Sequence, residues 1–260
     1  MSVKNKITEL FEKKKEKVLN IYFTAGFPEL ENTITILKAL EKAGADMIEI
    51  GMPYSDPLAD GPTIQASGEK ALANGMTIKK LFSQLEELRK EVSLPIMLMG
   101  YINPVMQYGV EAFCKKAAEV GVDGLILPDL PFMEYETMYK AEFDKNNLSN
   151  IFLVTPQTTD ERLKKIDSLG SGFIYIVSTN STTGNDSKKI EDNTAYFERI
   201  QKSDLSNPTL IGFNIKDNAS FENASKYSNG AIIGSAFIKH IEHSTNLDKD
   251  IESFITGIRG

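Results

Sequence analysis

The sequence contains few of the residues that build disulfides and metal centres. Among its 260 residues there are one cysteine and two histidines. Cys114 has no partner for an internal disulfide, and no histidine lies near it in sequence to activate its thiol. His240 and His243 stand in a polar stretch without further histidine or cysteine neighbours. These absences argue against a nucleophilic cysteine, and they predict no metal site.

Long apolar runs and an excess of positive charge are also missing. No apolar run approaches the ~20 residues that cross a bilayer, and the first residues mix lysine and glutamate without the apolar segment of a secretory signal. The net charge is -7, whereas nucleic-acid binding usually depends on a basic surface. The composition therefore predicts a cytoplasmic protein with neither a membrane nor a nucleic acid as partner.

From residue 18 onward, β-rich segments alternate with helical patterns. The β-rich segments are 18–24, 47–51, 96–99, 124–127, 151–154, 173–177, 209–212 and 231–233, and helix candidates between them include 30–43, 78–92, 132–145, 160–169 and 194–203. Such alternation predicts parallel strands with crossover helices. Eight units in a chain near the ~250 residues typical of the fold predict one domain, 1–260, folded as a (β/α)8 TIM barrel. No G-x-G-x-x-G motif follows the first strand to favour a dinucleotide-binding sheet.

An extra helix is predicted before the first strand. Ile7, Leu10 and Phe11 recur at helical spacing, and the charged run E-K-K-K-E-K at 12–17 is expected to form the solvated face of that helix. No aromatic residues alternate with this run, so it does not indicate a nucleic-acid surface.

The stretch D-M-I-E-I-G-M-P-Y-S-D-P-L-A-D-G-P-T-I-Q at 46–65 carries the clearest chemical signal. In a strand Glu49 points away from the face that Ile48 and Ile50 share, at the C-terminal end where barrel active sites lie. Asp60 follows in the loop 52–61, whose proline, glycine and aspartate allow it to fold back over the strand. We expect Glu49 to be half-buried, with a raised pKa suited to proton donation, and Asp60 to be solvated and ionised.

Three further loops are candidates for binding. Loop 178–192 has no apolar periodicity and is predicted to be either a mobile connector or a lid. The segments 212–215 and 234–237, which read G-F-N-I and G-S-A-F, follow the last two strands. Each glycine alone could serve only a tight turn. Together, in the position where barrels commonly bind phosphate, they favour a phosphate site.

Five motifs resemble the tryptophan synthase α subunit family. They are F-T-A-G-F-P at 23–28, the long run 49–65, Y-I-N-P at 101–104, T-T-G at 182–184 and G-S-A at 234–236. The resemblance implies a barrel that cleaves indole-3-glycerol phosphate to indole and glyceraldehyde 3-phosphate, with no cofactor. It also implies a tryptophan synthase β subunit as partner, in an α2β2 complex that consumes the indole.

The resemblance also assigns roles to single residues. Glu49 would transfer the proton and Asp60 would stabilise charge on the indole N–H. Tyr175 would pack beside the glycerol moiety, and Thr183 would orient the aspartate when the lid closes. The other implied substrate contacts are Tyr22 and Phe213 at the indole ring, and Gly184, Gly212, Asn214, Gly234 and Ser235 toward the phosphate.

Two departures from the family pattern bear on the loops. Residues 181–184 read S-T-T-G where G-V-T-G is typical, and Asn214 stands where G-F-G-I has its second glycine. If that glycine serves a left-handed backbone, asparagine is the least costly replacement.

Two other functions remain open at this point. One is a different phosphate-binding barrel of the same pathway, an isomerase or synthase, against which the Glu49 and Asp60 motif speaks. The other is a catalytically weak barrel that acts mainly as an allosteric partner of the β subunit.

Overall fold

The computed structural model describes residues 3–178 and 193–260 of the chain. Its strands are all parallel and form one sheet in the order β5-β4-β3-β2-β1-β9-β8-β7-β6. They are β1 (Val18–Thr24), β2 (Met47–Gly51), β3 (Ile96–Met99), β4 (Gly124–Ile126), β5 (Ser149–Asn150), β6 (Phe152–Val154), β7 (Ile174–Val177), β8 (Thr209–Gly212) and β9 (Gly230–Ile233).

The two outer strands of that order, β5 and β6, are consecutive in the chain and close the barrel. Only Ile151 separates them, and its N–H donates to the carbonyl of Leu125 at 3.0 Å. The first part of this segment pairs with β4 and the second part pairs with β7. It therefore serves as the fifth strand of an eight-stranded barrel, which confirms the predicted fold. The expected strand 151–154 begins earlier and is interrupted, because staggered barrel strands exchange neighbours along their length.

Helices surround the barrel and connect its strands. They are α1 (Lys6–Lys13), α2 (Asn32–Ala43), α3 (Pro62–Ala73), α4 (Ile78–Leu85), α5 (Leu88–Glu91), α6 (Ile102–Tyr108), α7 (Val110–Glu119), α8 (Phe132–Glu134), α9 (Lys140–Lys145), α10 (Asp160–Leu169), α11 (Thr194–Gln201), α12 (Asn218–Ser225), α13 (Ser235–Ile241) and α14 (Leu247–Arg259). The predicted helix 78–92 is divided into α4 and α5, and a π-helical turn, Tyr135–Tyr139, joins α8 to α9. Within the described residues, every helix is too short or too polar to cross a membrane.

Helix α1 closes the N-terminal end of the barrel. Asn5 begins it with a capping box, and Ile7 and Phe11 are buried among the side chains of the barrel interior. The expectation that 12–17 lies on this helix is wrong, because α1 ends at Lys13 and the next residue is extended. There Lys14 pairs with Asp46 at 2.7 Å, so its side chain, which is 34% exposed, lies against the start of β2.

Strand alternation divides the apolar core into two layers. Ile48 and Ile50 of β2 face the layer between strands and helices, whereas Met47 points into the barrel interior. Glu49 has the same parity as Met47, so the prediction that it faces away from the two isoleucines is confirmed. The interior side chains near the C-terminal strand ends form the base of the site.

Candidate active site

A cavity of about 1040 Å³ opens at the C-terminal ends of the strands. It brings together many of the predicted contacts, although they come from distant parts of the sequence. The predicted residues that line it are Tyr22, Asp60, Tyr175, Phe213, Asn214, Gly234 and Ser235. Thr183 and Gly184 lie outside the described residues. The cavity therefore sits where barrel enzymes carry their chemistry.

Two tyrosines form the walls nearest the barrel interior, and each depends on a glycine. A Cβ atom at Gly51 would collide with the ring and hydroxyl of Tyr22, and one at Gly212 would collide with those of Tyr175. Gly212 is thus placed behind Tyr175 and does not itself line the cavity. Its role in the structure is to admit the tyrosine ring, and the predicted direct phosphate contact stays a prediction.

Glu49 lies beneath this cavity and is completely enclosed. It stands next to Tyr22 and Met97 in the strand register, and none of its surface is exposed. The expected half-burial is therefore an underestimate. Burial raises the pKa of Glu49 from 4.5 to about 8, against the lowering effect of a hydrogen bond from Asn20. At neutral pH the carboxyl group keeps its proton, and contact with a substrate requires Glu49 or the side chains above it to move.

Asp60 is held at the edge of the cavity, immediately before α3. The hydroxyl group of Tyr101 donates to its Oδ2 at 3.0 Å, and the side chain of Gln65 donates to its backbone carbonyl at 2.7 Å. The expectation of a solvated carboxylate is wrong, because Asp60 is partly buried. This desolvation raises the pKa of Asp60, while the bond from Tyr101 lowers it. Asp60 is thus a positioned carboxylate with a fixed donor.

Tyr101 is a functional candidate that the residue-by-residue reasoning missed. It accepts a hydrogen bond from the backbone N–H of Ala59 at 2.9 Å while it donates to Asp60. Its ring packs on Tyr54 with centroids 5.3 Å apart. The only sequence signal was its place in the Y-I-N-P motif, which gave no role for it. Tyr101 ties the loop after β3 to the loop that carries Asp60.

Both carboxylates act electrostatically on the same two tyrosines. Desolvation raises the pKa of Tyr22 and Tyr175 above the usual phenol range, and the charges of Asp60 and Glu49 raise it further in each case. Both phenols therefore stay neutral at physiological pH. The site combines two neutral aromatic walls with two acidic groups in different surroundings.

Three lysines and one carboxylate, Asp217, line the part of the cavity formed by residues that follow β8 and β9. Lys216, Lys226 and Lys239 contribute to its lining, and in the part of the chain that the structure describes none of them forms an ion pair. Sequence reasoning missed these lysines, because they are far apart in the sequence: Lys216 and Lys226 lie on either side of α12, and Lys239 lies on α13. In a protein of net charge -7, their convergence favours an anionic ligand.

The backbone between β8 and α12 is strained beside these lysines. Phe213 and Asn214 have φ angles of +70° and +59°. Asn214 thus has the left-handed backbone that was considered as a condition for its replacing glycine, whereas that of Phe213 was not considered. The hydroxyl group of Ser178 donates to the carbonyl of Phe213 at 3.1 Å. The ring of Phe213 packs edge-on against that of Tyr175, with the ring centroids 6.1 Å apart. The strain is thus held by contacts on both sides.

Glu49→Gln is expected to stabilise the folded protein increasingly as pH rises. A carboxyl group with a pKa of 4.5 when unfolded and about 8 when folded favours the folded state below pH 4.5 and loses that contribution as pH rises to 8. Glutamine does not titrate, so the variant does not lose this contribution. Its unfolding free energy relative to that of the wild type should therefore increase by a few kcal/mol over that pH range, at about 1.4 kcal/mol per pKa unit. Denaturant unfolding at several pH values measures the difference. A constant difference would contradict the raised pKa.

The fold and the site define a (β/α)8-barrel enzyme that combines two carboxyl groups of different surroundings with three lysines at one cavity. A family model described as Tryptophan synthase alpha chain matches residues 9–257. The tryptophan synthase alpha chain of Flavobacterium johnsoniae is 54% identical over 255 residues, which cover 98% of this chain and 100% of that one. That of Christiangramia forsetii is 55% identical over 243 residues, 94% of each chain.

Solved structures agree with these relatives. The tryptophan synthase subunit alpha of Legionella pneumophila superposes with a TM-score of 0.89 at 32% identity, over 98% of this chain and 97% of that chain. Tryptophan synthase from M. tuberculosis, in an aminoacrylate-bound form, gives 0.86 at 28% identity over 98% of each chain. The chain belongs to the tryptophan synthase alpha chain family, which confirms the resemblance seen in its motifs. Members of this family are lyases that cleave indole-3-glycerol phosphate in tryptophan biosynthesis, with a β subunit as partner.

Proposed function

We propose that this chain cleaves indole-3-glycerol phosphate to indole and glyceraldehyde 3-phosphate, with Glu49 as the proton-transfer group and Asp60 as the charge-stabilising group. One observation carries the assignment of roles. Glu49 is a fully buried carboxyl group with a pKa near 8, next to a cavity that holds a hydrogen-bonded Asp60 at its edge. A buried acid and a second carboxylate in a different environment are what a retro-aldol cleavage needs.

The reaction can be written with two proton movements. The protonated Glu49 gives its proton to C3 of the indole ring, and the positive charge that develops on the ring nitrogen is stabilised by Asp60. The Glu49 carboxylate then takes the proton of the adjacent glycerol hydroxyl group, the C–C bond breaks, and its electrons return to the ring. Indole and the aldehyde leave, and Glu49 is protonated again for the next turnover.

The cavity walls supply the remaining recognition. Tyr22 and Phe213 offer flat aromatic surfaces to the indole ring, and Tyr175, which packs against Phe213, would lie beside the glycerol moiety. Asn214, Gly234 and Ser235 follow two neighbouring strands and would surround the phosphate, in the field of the three lysines. Thr183 and Gly184 complete this proposal from the family motif, as the residue that orients Asp60 and as a phosphate donor.

Asn214→Gly is expected to change substrate affinity by less than about tenfold, which corresponds to ~1.4 kcal/mol. Asparagine already adopts the left-handed backbone at φ +59°, at a cost limited to roughly 1–2 kcal/mol, and its N–H remains available to the phosphate. The KM for indole-3-glycerol phosphate in the two proteins measures the effect. A hundredfold gain on restoring glycine would show that asparagine obstructs the phosphate site and would favour the weak-catalyst function.

We further propose that the whole chain forms one domain, acts in the cytoplasm and assembles with its β subunit as α2β2. The surfaces beside loop 52–61 and beside segment 178–192, most of which lies outside the described residues, are the expected contact. Leu58 supports this choice, because a leucine 83% exposed on the first of these loops gains from being covered.

The test is an assay of both products from indole-3-glycerol phosphate, with and without a β subunit. Equal amounts of indole and glyceraldehyde 3-phosphate are expected, at a low rate alone and a higher rate with the partner, because ordering of the loops completes the site. Release of neither product under both conditions would contradict the proposed function. If the β subunit accelerates indole formation but does not slow hydrogen exchange in the two loops, only the proposed contact surface is contradicted.

A further inference from the structure

A buried amide lies next to Glu49 inside the barrel. Asn20 of β1 has no exposed surface, and its Nδ2 donates to Oε1 of Glu49 at 2.5 Å. In the strand register Asn20 stands beside Met47, one interior layer below Tyr22 and Glu49. The surrounding interior side chains are apolar and include Val18, Met97, Leu210 and Ile232. An amide in such surroundings costs free energy unless its hydrogen bond compensates for the burial.

The other two polar atoms of this pair have no partner. Within the described residues, Oδ1 of Asn20 and Oε2 of Glu49 are buried and make no hydrogen bond. The two carboxyl oxygens are therefore unequal, because one accepts an N–H and the other is free. A proton on Oε1 would face the hydrogen atoms of the amide, so the proton of the neutral acid belongs on Oε2.

We propose that Asn20 is the positioning residue of Glu49, which anchors Oε1 so that Oε2 carries and transfers the proton. This inference rests on the proposed role of Glu49 as the proton-transfer group. Without this hydrogen bond, the carboxyl group of Glu49 would be free to rotate about its terminal C–C bond. The bond from Asn20 selects one orientation, and it also supports the ionised form that exists between the two proton transfers.

Apart from the Asn20 hydrogen bond, few titratable groups can influence the ionisation of Glu49. The titratable groups that share this end of the barrel with Glu49 are Tyr22 on β1, Tyr175 on β7 and Asp60 before α3. Both tyrosines remain neutral, and the facing residues of β3, β8 and β9 are apolar. Removal of the amide donor should therefore be visible directly in the titration of Glu49.

Asn20→Leu, which keeps the number and branching of the side-chain heavy atoms but has no donor, provides the test in the full-length protein. We expect the alkaline limb of kcat/KM for indole release to move upward by about one to two pH units, the value of a hydrogen bond to a charged group. We also expect kcat to fall more than tenfold with little change in KM, since the substrate site is untouched. Asn20→Asp should move the limb further, because a second carboxylate disfavours ionisation of the first.

Asn150→Leu is the matched control. Asn150 is also a strand asparagine that is 2% exposed, but it belongs to β5 and makes no hydrogen bond to Glu49. It should leave the alkaline limb unshifted, because its buried side-chain amide nitrogen has no hydrogen-bond partner among the described residues. A folded Asn20→Leu protein with an unshifted limb would overturn the proposal, and if that variant does not fold, an unshifted limb in Asn20→Asp would do so. If Glu49→Gln remains active, the proposed function fails; if it is inactive while the Asn20 variants match the wild type, only the positioning role fails.

Discussion

Replacement of Glu49 by glutamine is expected to lower indole formation by at least ~10³-fold while indole-3-glycerol phosphate still binds. General acid–base groups contribute about 10²–10⁴ to rates, and here one carboxyl group serves both proton transfers, so no second group takes over either step. Glutamine fills the same space and can still accept the bond from Asn20. The loss should therefore appear in kcat and leave KM and the fold nearly unchanged.

Single-turnover indole formation, with enzyme in excess, measures this loss without interference from product release. Glu69→Gln is a suitable control, because it removes a carboxylate from the exposed surface of α3 and should retain full activity. Wild-type turnover by Glu49→Gln would exclude the proton-transfer role, whatever the fate of the other proposals.

Replacement of Asp60 by asparagine is expected to cost about 10²–10³ in kcat, as the removal of a transition-state electrostatic partner usually does. The amide keeps the size of the side chain and can still accept the Tyr101 hydrogen bond, but it carries no charge to balance the developing indole cation. The partial burial of Asp60 increases the effect, because the charge acts through a less polar medium than water.

Two further variants separate charge from position. Asp56→Asn removes an exposed carboxylate from the same loop, where it accepts a hydrogen bond from the hydroxyl group of Ser55 at 2.5 Å, and the lone chain should keep its activity. Tyr101→Phe removes the donor to Asp60 and should give an intermediate loss. Near-normal rates for Asp60→Asn would contradict the charge-stabilising role and would show that Asp60 is only a structural residue of the loop.

Much of the fold could be predicted from local patterns. Alternating β-rich and helical segments gave the eight strands, because each barrel strand carries its own apolar signal. The division of the fifth strand at Ile151 could not be predicted, since it depends on which neighbours pair with each half. The early end of α1 was likewise not predicted; the residue after it, Lys14, is extended and contacts Asp46, which is 32 residues away.

Local sequence patterns likewise predicted only part of the candidate active site. Glu49 and Asp60 were found because a polar residue in a strand and an unusual loop are local signals. Asn20 gives a similar signal, as a polar residue at an interior position of β1, but its partner is visible only when β1 and β2 are placed side by side. Tyr101 acquires its role through contacts with a separate loop, and Lys239 acquires its role because separate elements line one cavity. No sequence period reveals either arrangement. The depth of Glu49 burial also results from packing of the whole barrel interior.

The central claim is that burial keeps Glu49 protonated so that it can act first as an acid. The most direct measurement is kcat/KM for indole release as a function of pH, from neutral pH upward. The account predicts a rate that is level near neutrality and falls above about pH 8, as the carboxyl group loses its proton. A rate that instead rises with pH through that range would show that the ionised carboxylate begins the reaction, and it would contradict the account.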